Sequence, residues 1–439
     1  MSRYLNIFLF ELKHFTKSRT KVISYLFFVL ACVFSLLNGF DLEEKQLNTI
    51  DNINVNESES ISEIINWYEK GEKGPEDRSW VDVTNPYWSI RYSPTYIIKK
   101  PSPLLPLGIG QAEQYGFYQK LSIWSSPFDS DIAEEITNYE RLINGNIDFS
   151  FLILFLLPLL LIILTFNING LEKDLKFDNL INIQSGAIKK WIIFRLLFYT
   201  FLIIITINCL IFSVAFINNI FNQELLQLIL LSNLYVLIFV VPFYFIINIS
   251  DGSTSIAFKM ISFWLLLCVL IPGTAHQYAN LKYPTNYMTD FLDANRKETY
   301  DVFKFSKEEL NDKLLNIYPN LKLTKHAKDT AVNRTIVRNS MSAIVNNLNL
   351  NAINKIEQQN NLKNNLIVST YWYNPVSFFQ NKWNSITRSD YHSYSKFREE
   401  IQSKIDGRLE LLVFECWDNQ TVDFDRYNDY LKILKQNNN

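Results

Sequence analysis

Cysteine, histidine and methionine are scarce in this sequence, at four residues each, and their placement excludes more than their number does. Cys32, Cys209 and Cys268 lie inside apolar runs, Cys416 stands alone, and no CxxC pair occurs. Neither a disulfide framework nor a zinc site is expected; buried thiols acting as small hydrophobes are. His14, His276, His326 and His392 are far apart in sequence, which argues against a metal or acid–base cluster. Four methionines do not support a thioether copper relay.

Other absences narrow the function. Lys+Arg 42 against Asp+Glu 44 gives a net charge of -2, so the chain is neither a strongly basic nucleic-acid binder nor the owner of an acidic tail. No G-x-x-x-x-G-K-[ST], H-E-x-x-H or G-x-S-x-G motif occurs. Gly108-Ile109-Gly110 is half of a dinucleotide fingerprint without its third glycine, and it reads as turn chemistry. Nothing points to an enzyme or to a cofactor held by this chain.

A mean hydropathy near zero averages two unlike populations. Five runs free of Asp, Glu, Lys and Arg are present: Val22 to Phe40, Phe149 to Leu171, Leu196 to Phe216, Leu225 to Ser250 and Met260 to Tyr278. Crossing a hydrocarbon core about 30 Å thick takes roughly 20 apolar helical residues, so each run predicts a membrane span. Pro158 and Pro242 are expected to kink the second and fourth, with neighbouring helices satisfying the freed carbonyls. The first run continues past Cys32 without a small-residue cleavage site, which predicts an uncleaved anchor rather than a lipoprotein signal. The runs lack the intramembrane charges that proton- or sodium-coupled carriers use, so energy for transport would arrive from elsewhere.

Lys and Arg cluster in the first 21 residues, between runs two and three, and at Lys259. These segments belong on one side, with a cytoplasmic N-terminus and, after five crossings, an extracytoplasmic C-terminus. Residues 41–148 and 279–439 then form two extracytoplasmic domains. Helical patterns run through "SISEIINWYEKGEK", "DIAEEITNYERLIN", residues 326–366 and "SDYHSYSKFREEIQSKIDGRLELLVFECW". Ser306 with Glu309 predicts a capping box. The apolar end of "RLELLVFECW" is too short to span, so no sixth crossing is expected. In residues 1–20, Leu5, Phe8, Leu9, Leu12 and Phe15 recur at helical spacing, with Glu11, Lys13 and Lys17 elsewhere, as in a helix lying in the membrane interface. Trp80, Tyr87, Trp88, Trp372 and Tyr373 suit interfacial belts, domain core or a partner surface. The fold class expected is thus an all-α polytopic membrane protein with five spans: an elbow helix and the first span in residues 1–40, and the other four spans in 149–278, between two mainly helical domains.

The compact charged stop at residues 169–190, between two spans, could be a lever or a plain topology-setting loop. Four stretches point further: "PLLPLGIGQAEQYGFYQKLSIW", "INGNIDFSFLILFLLPLLLIILTFN", "NGLEKDLKFDNLINIQSGAIKKWIIFR" and "YNPVSFFQNKWNSITRSDYHSYSKFREEIQ". With "YPTNYMTDFLDANRKETYD", their order and spacing resemble an ABC-2-type transporter permease, of the subgroup with two large extracytoplasmic regions related to multi-copper-enzyme-maturation permeases. The chain departs from that pattern at Asp174-Leu175 and Lys176-Phe177, where the family shows Gly-Thr, and in having five crossings where many members have six.

The resemblance implies a subunit of the bacterial inner membrane that pairs with a second permease chain, identical or not. It implies a separate ABC ATPase on the cytoplasmic side, which holds ATP and magnesium. Glu172, Lys173, Asp174, Asn179, Leu180, Asn182, Ser185 and Gly186 would form the coupling helix and its exit turn. Export is one use of that motion; moving an extracytoplasmic protein or cargo is another. A scaffold or sensor without an ATPase is the rival reading. Lipid is an expected partner and nucleic acid is not.

Overall fold

A computed structural model describes residues 2–137, 147–177, 180–181, 183, 188–285, 291–328 and 333–436. The chain is about 77% helical, and the described residues hold one two-stranded antiparallel ribbon, β1 (Tyr96–Ile98) on β2 (Tyr118–Lys120). Among the described residues, five helices are long and apolar enough to cross a membrane. After α1 (Ser2–Lys17) these are α2 (Arg19–Lys70), α5 (Phe149–Asp174), α7 (Ile188–Ile217), α8 (Gln223–Ile249) and α9 (Ser253–Lys282). Here α3 is Pro86–Tyr92, α4 is Asp129–Thr137, and α6 names the last turn of α5, Gly170–Asp174. All five expected spans are thus helices.

In α7, Ile192, Leu196, Tyr199, Ile203, Ile207, Ile211 and Val214 face the bundle at three- and four-residue spacing. The opposite face, with Leu197, Phe201, Ile205 and Phe212, is exposed and just as apolar, as a lipid-facing surface requires. The first span does not stop at Phe40. With no proline, and no glycine between Gly39 and Gly71, whose φ of 72° closes it, α2 runs 52 residues. At 1.5 Å per residue that is about 78 Å, more than twice a hydrocarbon core. Its far half buries Ile53, Ile61, Ile64 and Trp67 among the polar segments.

Two spans carry one π turn each, Leu152–Leu156 in α5 and Leu266–Leu270 in α9, and in both a proline follows two residues later, Pro158 and Pro272. Proline has no N–H and crowds the carbonyl four residues back; a wider turn relieves the clash and leaves a carbonyl free. Tyr235 of α8 donates its hydroxyl to the Leu154 carbonyl, and the Trp264 indole donates to Phe155 at 3.0 Å.

The remaining helices are α10 (Leu292–Val302), α11 (Lys307–Ile317), α12 (Arg334–Asn339), α13 (Met341–Ser369), α14 (Pro375–Ile386), α15 (Tyr391–Asp418) and α16 (Phe424–Gln436). The Ser306–Glu309 capping box is formed. The helix expected over 326–366 begins later, at Arg334, and is interrupted at Ser340; "DIAEEITNYERLIN" is helical over Asp129–Thr137, and its end lies outside the described residues. The two polar segments share one core: Ile64, Trp67, Val83 and Ile90 of the first cluster with Leu314, Val337, Ile401 and Val413 of the second. Arg408, buried in that core, donates to the Ile90 and Ser93 carbonyls at 2.7 and 2.8 Å. The end of "RLELLVFECW" is buried there too, with Cys416 and Trp417, and burial pushes the Cys416 thiol up to about 12. This shared body is called the head below.

Candidate coupling site

Basic side chains gather at the end of the bundle away from the head. Consecutive helical residues splay about 100° apart, so three neighbours can reach three different partners. Glu172, Lys173 and Asp174 do so. Glu172 accepts from Arg195 Nη1 of α7 at 2.6 Å, and the same guanidinium donates through Nε to Glu11 of α1. Lys173 donates to the Ser250 carbonyl at the end of α8, at 2.6 Å. Asp174 accepts from the Ser253 N–H and hydroxyl at the start of α9. One short turn therefore grips four helices.

Close backbone approach makes this possible. A Cβ at Gly170 would fall 2.7 Å from Ser253 Cα, and one at Gly252 would meet the Asp174 carboxylate. Asn169, at φ 60°, breaks α5 just before its last turn and donates to the Ile247 carbonyl at 3.3 Å. Arg195 and Glu11 are almost wholly buried, and Trp191 lies 4.2 Å under the guanidinium. Lys21 is buried beside them, donating to the Leu164 carbonyl at 2.6 Å and to Tyr199 at 2.9 Å. Burial, with Lys21 nearby, pulls the His14 imidazole below its ordinary value.

Glu11, expected on the polar side of α1, instead faces the bundle, while Leu9 and Leu12 are exposed. Its position could have been read from the sequence: three residues after Phe8 and four before Phe15, it shares their face, and Phe8 and Phe15 pack on Phe198 and Tyr199. In sequence Arg195 is simply one of the basic residues between runs two and three; its pairing with Glu11 spans 184 positions and leaves no local pattern.

Of the other expected coupling residues, Asn179, Asn182, Ser185 and Gly186 lie outside the described residues. Leu180 is exposed, as are Leu175, Phe177 and Ile183, the last at 84%. Four exposed apolar side chains thus follow the turn in sequence.

The head end has its own junction. Trp383 of α14 donates to the Leu107 carbonyl at 2.7 Å, Gln111 N–H donates to the Ser389 carbonyl at 2.9 Å, and Ile109 N–H donates to Asp148 at 3.1 Å. Asp148 also caps the start of α5 through Ser150 N–H, and burial raises its carboxyl. A Cβ at Gly39 of α2 would fall 2.5 Å from Pro106 Cα, and one at Gly110, at φ 51°, would fall 2.5 Å from the Ser389 hydroxyl. Residues 103–111, 148–150 and 383–389 come from three of the stretches that carry the family resemblance, and they meet here. Phe379 of α14 continues inward to Tyr235, with ring centroids 5.0 Å apart.

Compared with family models, with curated proteins and with solved structures, the chain matches none. The functional reading therefore rests on this geometry and on the sequence motifs.

Proposed function

We propose that the chain is the membrane-spanning permease subunit of an ATP-driven transporter of the ABC-2 type, working with a separate ATPase. The observation that carries the reading is the clamp: Glu172, Lys173 and Asp174 bind α7 with α1, α8 and α9 in turn. A partner pulling on this turn moves several spans as one body. The strip of Leu175, Phe177, Leu180 and Ile183 gives such a partner an apolar hold, since exposed apolar side chains beside a polar rim mark interaction surfaces. The basic cluster favours placing this end in the cytoplasm and the head outside, in a bacterial inner membrane. The pair of π turns, stitched by Tyr235 and Trp264, supplies a place where α5 and α9 can bend, because π turns sit where a helix is poised to rearrange.

One observation favours mechanical work on an outer-side protein over passage of a solute. The unbroken α2 joins the membrane bundle to the core of the head, so movement at its foot is delivered to the head without a hinge. ATP and magnesium belong to the partner subunit, and a second permease chain completes the assembly.

The test is ATP hydrolysis by the partner ATPase, reconstituted with this chain in lipid. Wild type stimulates hydrolysis; Leu180→Glu with Ile183→Glu, on exposed positions, inserts normally and loses the stimulation. Equal stimulation by the variant overturns the docking surface.

A further inference from the structure

One more uncharged stretch lies beyond the five spans. Residues 364–381, "NNLIVSTYWYNPVSFFQN", hold no Asp, Glu, Lys or Arg and are bounded by Lys363 and Lys382. A single crossing takes roughly 20 apolar helical residues in one direction, and this stretch folds back on itself instead. α13 ends at Ser369, the chain turns at Thr370–Asn374, and α14 begins at Pro375. Each arm, from its lysine to the turn, is about two helical turns, or roughly 10 Å.

The spans give the depth of this hairpin. The Trp383 ring, beside Lys382, lies 6.2 Å from Phe149, where the second apolar run starts at its head-side end. One turn nearer the tip, Phe379 meets Tyr235, ten residues inside the head-side end of its run at Leu225. The Tyr235 hydroxyl in turn reaches Leu154, five residues below Phe149. At 1.5 Å per residue, these place Phe379 roughly 8–15 Å below the ends of the runs, and the tip follows a turn further on. Val376, Phe379, Trp383 and Ile386 are buried in the cluster the spans form, not in the core of the head, and α14 touches both π turns. The other arm descends along the end of α9. Asn360 accepts from Thr285 at 3.0 Å, and Lys363 stands within electrostatic reach of His276, close to Tyr278 where the fifth run ends. Both lysines therefore sit near the level at which the apolar runs stop.

Side chains and backbone at the tip suit hydrocarbon. Trp372 is 85% exposed, and Val368, Tyr373 and Phe378 are exposed beside it. The N–H groups of Thr370, Tyr371, Tyr373 and Asn374 donate to carbonyls of residues 367–370 at 3.0–3.1 Å. Asn374 accepts from the Ser377 N–H at 3.3 Å, and Pro375 has no N–H to place. The Ser369 and Thr370 hydroxyls return to the Leu366 and Ile367 carbonyls, and the Tyr371 hydroxyl accepts from Asn381 at 2.7 Å. Water would satisfy such groups in an exposed loop; lipid cannot, so backbone that enters it must close its own hydrogen bonds.

We propose that residues 364–381 form a re-entrant hairpin, inserted from the head into the adjacent leaflet, with Val368, Trp372, Tyr373 and Phe378 packed on lipid acyl chains. Lys363 and Lys382 extend their ammonium groups to the headgroup level, as long basic side chains do at interfaces. The head is thereby seated in the bilayer itself, and α14 carries that seat to the π turns of α5 and α9. The proposal needs only that the five apolar helices lie in a membrane. It makes no use of the ATP-driven reading, and either can fail without the other.

The test uses the full chain in phosphatidylcholine nanodiscs. Cys209 is the exposed native thiol and the other three are buried, so Cys209→Ala is the background for one nitroxide label at Trp372→Cys. Two exposed positions serve as references: Ile205→Cys on the lipid-facing side of α7, and Trp80→Cys in the head. Power-saturation EPR compares collisions with oxygen, which concentrates in hydrocarbon, and with a neutral nickel chelate, which stays in water. At Trp372 oxygen dominates, as at Ile205, and the order reverses at Trp80. Trp372→Asp lowers the melting temperature in nanodiscs, because it takes a charge into hydrocarbon, while Trp372→Leu and Trp80→Asp leave it unchanged. The proposal is overturned if the nickel chelate dominates at Trp372, which means a water-filled vestibule. It is equally overturned if neither reagent reaches the label, which means that protein covers the tip, or if Trp372→Asp is as stable as Trp372→Leu.

Discussion

The Tyr235 hydroxyl donates to the carbonyl of Leu154, four residues ahead of Pro158. That is the carbonyl a proline at position 158 strips of its helical donor, and in hydrocarbon it has no water to turn to. The tyrosine answers it from the neighbouring helix, while its ring meets Phe379 of the head and its oxygen lies 3.9 Å from Cys268 in the second π turn. One side chain thus joins both bendable turns to the helix that descends from the head.

Replacing Tyr235 with Phe keeps the ring and removes only the donor. The expected loss is about 1 kcal/mol, in keeping with hydrogen bonds between membrane helices. Thermal unfolding in one fixed detergent would register it as a modest fall in melting temperature; no fall would mean that the Leu154 carbonyl is satisfied by other means.

Arg195 bridges Glu11 and Glu172 in a buried setting, so its loss leaves two carboxylates without their cation. Arg195→Met should destabilise by about 3–5 kcal/mol. Arg195→Lys should rescue little, because an ammonium cannot present two diverging N–H groups as a guanidinium does. The yield of monodisperse protein on size exclusion, with melting temperature, tests both. A lysine variant as stable as wild type would show that charge alone matters there.

Two helical glycines should respond in opposite ways to alanine. At Gly39 the new methyl meets Pro106 backbone at 2.5 Å, and the overpacking should cost about 1–3 kcal/mol. At Gly273 nothing lies within 4 Å, so alanine should be neutral or stabilise by up to about 1 kcal/mol through helix propensity alone. Melting temperatures of the two variants decide; equal shifts would deny that α2 is pinned to the loop at residues 101–107.

Lys99 gives the junction a signature in pH. Burial pulls its ammonium from 10.5 down to about 8, partly opposed by Asp390 and reinforced by Arg388, while its Nζ donates to the Arg388 carbonyl at 2.8 Å. Between pH about 8 and about 10.5 the unfolded chain holds this proton and the folded chain does not. Stability from this group therefore rises with pH across that window and is flat below it. The difference in unfolding free energy between wild type and Lys99→Met should move in favour of wild type from pH 8 upward. A flat difference would place the ammonium in solvent.

How much of this was legible depends on range. The five spans follow from where charge is missing, and the Ser306 capping box follows from two residues three apart. The length of α2 was hidden because the apolar run stops at Phe40; nothing from Asp41 to Lys70 breaks a helix, but polarity alone suggested a new domain. The face of Glu11 could be read from Phe8 and Phe15. Its partner could not, since Arg195 lies 184 positions away. The family resemblance points to Glu172, Lys173 and Asp174, yet their holds on Arg195, Ser250 and Ser253 depend on helix ends that only the folded bundle brings together.

The central claim is that the turn at Gly170–Asp174 and the apolar strip beyond it couple the bundle to an ATPase. Purifying the chain from its native membrane in mild detergent, with quantitative mass spectrometry of what accompanies it, tests this most directly. The account predicts a P-loop ATPase in near-stoichiometric amount, lost from Leu180→Glu with Ile183→Glu while the variant still enters the membrane. An absence of any ATPase even after gentle cross-linking, or one retained equally by the variant, would contradict it and leave a membrane scaffold in its place.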